Sequence, residues 1–166
     1  MNYLLPLIAV ILGYILALVI QPKKKSNLKL LLAFSGSFLL SVTVISLLPE
    51  VYETKNTTIG LYIMLGILFQ IILEFFSKGA EHGHVHGHQT ITHIPWLLFI
   101  SLCIHALLEG FPVGHHHDLA IGIAIHHLPI AIILTTFFVQ AQLNKKAIFA
   151  FMITFAMMTP LGTLAS

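Results

Sequence analysis

The chain has 166 residues, 57% of them hydrophobic and only 8% charged, with a formal net charge of +2. That leaves too little polar surface to cover a soluble core of this length, which excludes a water-soluble domain. Every basic residue is a lysine, which argues against phosphate recognition and nucleic-acid binding, and the single cysteine, Cys103, excludes an internal disulfide framework or an all-cysteine zinc site. Long apolar runs parted by short polar ones predict an all-α fold, a polytopic helical membrane protein forming one transmembrane domain over 1–166. The compositional anomaly is histidine, present eleven times.

The first apolar run, 3–20, precedes Gln21-Pro22-Lys23-Lys24-Lys25. It has no basic start and no small-residue cleavage site, so it reads as a first span and not a signal peptide. The second run, 28–48, carries Ser35, Gly36, Ser37, Ser41 and Ser46, small residues that let helices approach and hydrogen-bond across the contact. Pro49-Glu50 ends it, and 51–58 is a polar turn. In the third run, 59–76, Gln70 and Glu74 share a helical face, and Glu74 stands four residues before Lys78, which reads as a helix end.

The segment 77–92 has no apolar face and carries His82, His84, His86 and His88, a loop that offers imidazoles to metal. The fourth and fifth runs are 94–113 and 119–139, and Gln140 to Lys146 is a polar hinge. The sixth, 147–164, is interrupted by Thr159-Pro160-Leu161-Gly162. The chain stops at Ser166 without the polar or basic flank that usually finishes a span, so the end reads as cut.

Lysine placement sets the orientation. Lys23, Lys24, Lys25, Lys29, Lys78, Lys145 and Lys146 fall in or beside the first, third and fifth loops, and Lys55 alone falls on the other side. Positive residues stay cytoplasmic. The N-terminus is then outside and the His-rich loop inside, with Glu50, Glu53 and His115-His116-His117-Asp118 on the outer face. The expected location is the plasma membrane or a bacterial inner membrane.

The chemistry concentrates between Cys103 and Pro129. His105 and Glu109, four apart in the fourth span, stack on one helical face and can share an ion. In the fifth span His126 and His127 differ by about 100° around the axis, so only one can point fully at it. Ionisable side chains at the centre of apolar spans are costly and mark functional sites. Imidazole with carboxylate suits Zn²⁺, Fe²⁺ or Mn²⁺. Pro129 withdraws a backbone N–H next to these histidines and loosens the helix there. Cys103 lies on another face from His105 and reads as a small packing residue.

At these residues the chain resembles the ZIP (Zrt/Irt-like) family of divalent metal transporters. Ser46 to Glu50, SLLPE, is similar to the family's HLLPE-like ending of the second span. The third span ends in LEFFSK (73–78) before a His-rich loop. His105-Ala-Leu-Leu-Glu109-Gly110 resembles H-N-x-x-[DE]-G, and His126-His127-Leu-Pro129 resembles H-[EN]-x-P. Thr159 to Gly162 supplies T-P-L-G in the sixth.

The resemblance implies eight spans, with a transport site between the fourth and fifth and the first and last three related as an inverted repeat. The six spans here then correspond to a fragment lacking the last two. It also implies that His105, Glu109 and His126 match the family's first metal position, with His127 as an assistant. Ala106 stands where the family has Asn, and Ile130 where it has an acidic or His residue, so one ion is expected, not two.

The function expected is transport of a divalent transition metal towards the cytoplasm, zinc first, with Fe²⁺, Mn²⁺ or Cd²⁺ fitting similar ligands. His115, His116, His117 and Asp118 would capture the ion outside, and His82, His84, His86 and His88 would bind it weakly inside. The partners expected are the ion, the bilayer and a second copy of the chain as a homodimer. An enzyme is not expected. A His-ligated metalloenzyme of the membrane is the alternative, but H-E-x-x-H and clustered-His boxes are absent. A haem held by His105 and His126 is a third reading.

Overall fold

The computed structural model describes residues 4–20, 25–77, 93–114 and 116–166. They are helical almost throughout: α1 (Leu4–Ile20), α2 (Lys25–Val42), α3 (Leu48–Glu53), α4 (Ile59–Ser77), α5 (Trp96–Gly110), α6 (His117–Gln140) and α7 (Lys145–Ala165). A π-helical turn over Thr43–Leu47 joins α2 to α3, and a 3₁₀ turn over Phe111–Gly114 follows α5. Among the described residues, five helical stretches are long and apolar enough to cross a membrane; α1 is apolar but has 17 residues.

Four helices make the core. Val10 of α1, Leu102 and Ala106 of α5, Ile130, Leu134 and Phe138 of α6, and Phe151 and Phe155 of α7 are almost wholly buried together. α6 is central, packing against α1, α2 and α7. Phe151 sits edge-on to Phe99 and Phe138, with ring centres 4.9 and 4.8 Å apart, the tilted geometry that aromatic quadrupoles favour.

Two crossings are set by glycine. α1 buries Pro6, Val10, Gly13 and Ala17, one stripe of a 3.6-residue helix. At Gly13 a Cβ would lie 2.6 Å from the Leu128 carbonyl oxygen, so α1 rests on α6 backbone to backbone. α5 and α7 meet at Gly110 and Gly162, where any Cβ would collide with the Thr159 or Leu107 carbonyl. The Thr163 hydroxyl closes this contact, 2.9 Å from the Gly110 carbonyl oxygen. Close approach through small residues is the ordinary route to helix association where water drives nothing.

α2 and α4 lie at the margin. α2 leans on the start of α6 through Leu39 and Val42, beside Leu119 and Ile123, and α4 packs against α5.

The element ends differ from expectation in three places. The second helix does not stop at Pro49: the π turn precedes it, Pro49 occupies the first turn of α3, and helix runs to Glu53. A proline there lacks only an N–H that a helix start leaves unused, and the chain turns instead at Thr54 to Thr58, with Lys55 at φ 51°. The sixth apolar run is not interrupted at Thr159-Pro160, since α7 continues through Pro160. The polar hinge is shorter than expected. Asn144 caps α7 by accepting from the Lys146 N–H at 2.9 Å, which brings both lysines into the helix.

Candidate metal site

α5 and α6 bring three of the four central residues together. Glu109 lies one turn after His105 on α5, with Oε1 3.1 Å from His105 Nε2. Its other oxygen, Oε2, is 2.8 Å from Nε2 of His127 on α6. The carboxylate therefore joins two imidazoles from two helices. His127 is 1% exposed, and Glu109 and His105 are 15% and 17% exposed.

The tautomer of His127 follows from its surroundings. Its Nδ1 is buried without a hydrogen-bond partner, and the ring packs against Phe155 at 5.3 Å between centres. A buried N–H with nothing to bond is costly, so the neutral ring carries its proton on Nε2 and donates it to Glu109. His105 is engaged on both nitrogens: Nδ1 lies 2.9 Å from Gln70 Oε1 of α4, opposite the Glu109 contact.

Spacing alone leaves open which of His126 and His127 faces the ion, and the family resemblance puts His126 first with His127 as an assistant; in the structure it is His127 that meets Glu109. His126 is half-buried beside it, its ring centre 6.4 Å from that of His127. The sequence shows Gln70 only as sharing a face with Glu74, and the structure adds its contact with His105. The signal that could have found it was the one used for the histidines: a polar side chain deep in an apolar run. Ala106 and Ile130 are both packed in the core. Among the described residues, no three His, Cys, Asp or Glu side chains form a ready-made ligand set. The contacts run as a line, His105 to Glu109 to His127, each imidazole taking a different carboxylate oxygen.

The outer group is looser. His116 caps α6 with extended backbone, and its Nδ1 lies 3.6 Å from Oε2 of Glu50, which is 63% exposed. His117 and Asp118 were expected in a loop but form the first turn of α6, where an anionic Asp118 suits the positive end of the helix dipole. Asp118 also lines a groove of about 330 Å³ with Ser41, Ile45 and Ser46, beside the π turn. His115, His82, His84, His86, His88 and Lys78, the expected partner of Glu74, lie outside the described residues.

Comparison with known proteins agrees with the motif reading at low similarity. No family profile matches the chain, and no solved structure matches it. The chain is similar to a zinc transporter, ZIP1, of the zebrafish Danio rerio, at 25% identity over 110 residues, covering 52% of this chain. The match takes in 36% of that relative's length, so the chain spans little more than a third of the curated protein that it resembles.

Proposed function

We propose that this chain carries a divalent transition-metal ion across a membrane, zinc in the first place, at a site between α5 and α6. One observation supports this above the rest. The Glu109 carboxylate reaches Nε2 atoms of two histidines on different helices, at 3.1 and 2.8 Å, inside an apolar bundle. Ligand atoms on one tetrahedral zinc, each at roughly 2.0–2.1 Å, lie about 3.3 Å apart. Small side-chain rotations would let His105, Glu109 and His127 share an ion in place of their present contacts. His126, which the ZIP resemblance puts at the first metal position, is close enough in sequence to take part. The zinc transporter named above supports zinc as cargo; Fe²⁺, Mn²⁺ and Cd²⁺ fit the same donors.

In this reading the N-terminus is outside and transport runs inward, towards the lysine-rich loops. Cations arrive at the outer end, where Glu50 lies beside His116, which His115 precedes and His117 and Asp118 follow in the sequence. They shed water onto the central residues and leave towards the loop bearing His82, His84, His86 and His88. Affinity is moderate, because an ion held too tightly does not leave. A homodimer belongs to the same reading.

Uptake of Zn²⁺ into liposomes holding the full-length gene product tests it. Uptake should fall to background with His105→Ala and with Glu109→Ala. Unchanged uptake and unchanged Zn²⁺ binding in the double variant would sink the assignment.

A further inference from the structure

The geometry points to Gln70 of α4 as the positioning residue for His105, holding that imidazole in the tautomer whose Nε2 lone pair faces a divalent cation. The inference rests on the metal-transport reading of the site and adds to it a residue from a helix outside the α5–α6 pair.

Gln70 interrupts an otherwise apolar stretch of α4, and its side chain is half-buried against the bundle. A carboxamide in hydrocarbon is costly unless it is bonded. This one meets His105, its Oε1 2.9 Å from Nδ1 across 35 residues of sequence. α4 packs on the bundle through α5, so the bond lies where the marginal helix touches the site.

The chemistry follows from the two nitrogens of one ring. A neutral imidazole has one N–H and one lone pair. Both nitrogens of His105 face acceptor oxygens, Gln70 Oε1 and Glu109 Oε1, so a cation that takes Nε2 in place of the Glu109 contact requires the ring's one N–H to sit on Nδ1, where Gln70 Oε1 accepts it. That is the form a cation needs. Metal-bound histidines generally give their other N–H to a fixed acceptor, which sets both tautomer and ring angle. Without an acceptor at Nδ1, the proton is drawn to Nε2, where Glu109 accepts it, and the lone pair turns away from the site. His127 lacks such an acceptor, since its Nδ1 is buried without a partner. The two imidazoles on Glu109 are therefore unequal: His105 has an acceptor in place for the proton it must hold on Nδ1 when a cation takes Nε2, and His127 has none. His105 is then the first imidazole ligand taken up, and Gln70 is what makes it so.

The alternative is that Gln70 only glues α4 to α5. Three variants of the full chain in lipid separate the roles. Gln70→Leu removes the acceptor without adding an apolar-phase penalty, since leucine suits a span, so the helix should still insert. Gln70→Glu keeps an acceptor at similar reach. His105→Ala tests the site itself. ¹⁵N spectra of His105 in Zn²⁺-loaded membranes should show a hydrogen-bonded Nδ1–H in the wild type and an Nδ1–H moved towards its unbonded position in Gln70→Leu. Zn²⁺ and Cd²⁺ affinity should fall 10–100-fold in Gln70→Leu and stay within about threefold in Gln70→Glu.

Loss of Zn²⁺ binding in His105→Ala with an unchanged Nδ1–H signal and affinity in Gln70→Leu overturns the inference alone. Equal losses in Gln70→Leu and Gln70→Glu also overturn it, because they reduce Gln70 to packing. Unchanged Zn²⁺ affinity in His105→Ala overturns the metal-site reading and the inference together.

Discussion

Two parts of this molecule are built by different rules. In α6 the best apolar 18-residue window is 67% buried within the chain; for the second helix and α4 the figures are 6% and 11%. All three are apolar enough to cross a membrane. Apolarity therefore selects for lipid, and small residues decide which helices pack: Gly13, Gly110 and Gly162 meet neighbouring backbone, whereas Gly36, Gly60 and Gly66 have nothing within 4 Å. The carboxylate–imidazole pairs follow the same division. The two inside the bundle, both on Glu109, are short and sheltered, and the Glu50–His116 pair at its edge is 3.6 Å long and wet.

The sharpest break of this comparison is a leucine at Gly110. Its side chain would enter the Thr159 backbone, and α5 would have to leave α7. Overpacking typically costs 1–3 kcal/mol, and backbone that cannot yield puts the expected loss at about 3 kcal/mol. Gly66→Leu, facing open space, should change stability by less than about 0.5 kcal/mol. Thermal unfolding of both variants in the same detergent measures the difference; equal losses would mean that α5 and α7 are not held at this crossing.

Next in size is Glu109. Glu109→Ala leaves His105 Nε2 and His127 Nε2 without their shared carboxylate. Zn²⁺ binding should weaken by at least about 100-fold, the upper end for losing a supporting group and a lower bound for a ligand. Calorimetric titration of the purified protein checks it. Glu109→Gln, which keeps the shape and removes the charge, should fail nearly as badly, because a neutral amide oxygen is a poor substitute for carboxylate on a dication.

His126 and His127 show how far the sequence could be read. The helices, their order and the pairing of His105 with Glu109 follow from apolar runs and an i,i+4 spacing, both local properties. Which of two adjacent histidines faces Glu109 depends on the rotation of α6, and α6 is apolar nearly all round, so no polar face marks it. Gln70 was readable as a polar residue at depth but not as a partner of His105, since the crossing of α4 on α5 is not encoded locally. Pro49 and Pro160 misled for the opposite reason: proline weakens a helix locally, but a π turn and the packing of Thr159 and Gly162 carry the helices past them. The two histidines should separate by experiment. His127→Ala leaves a cavity beside Phe155 and removes a contact to Glu109, so it should cost about 1–3 kcal/mol of stability as well as Zn²⁺ affinity. His126→Ala, half-buried, should cost affinity with less than half that loss of stability; the reverse order would place His126 as the packed residue.

The smallest effect belongs to the outer pair. Glu50 is 63% exposed and 3.6 Å from His116, and an ion pair of that kind contributes about 0–1 kcal/mol. Glu50→Gln should leave the unfolding temperature almost unmoved and the central Zn²⁺ affinity unchanged. If cations are first gathered at this end, its effect appears elsewhere, as a slower rate of uptake at low Zn²⁺ that disappears at saturating Zn²⁺. The deficit should also shrink with added salt, because steering between exposed charges is screened within about 8 Å at physiological ionic strength. A loss at saturating Zn²⁺ would instead give Glu50 a part in the transport step, and the division between a sheltered site and a wet entrance would fail at its outer end.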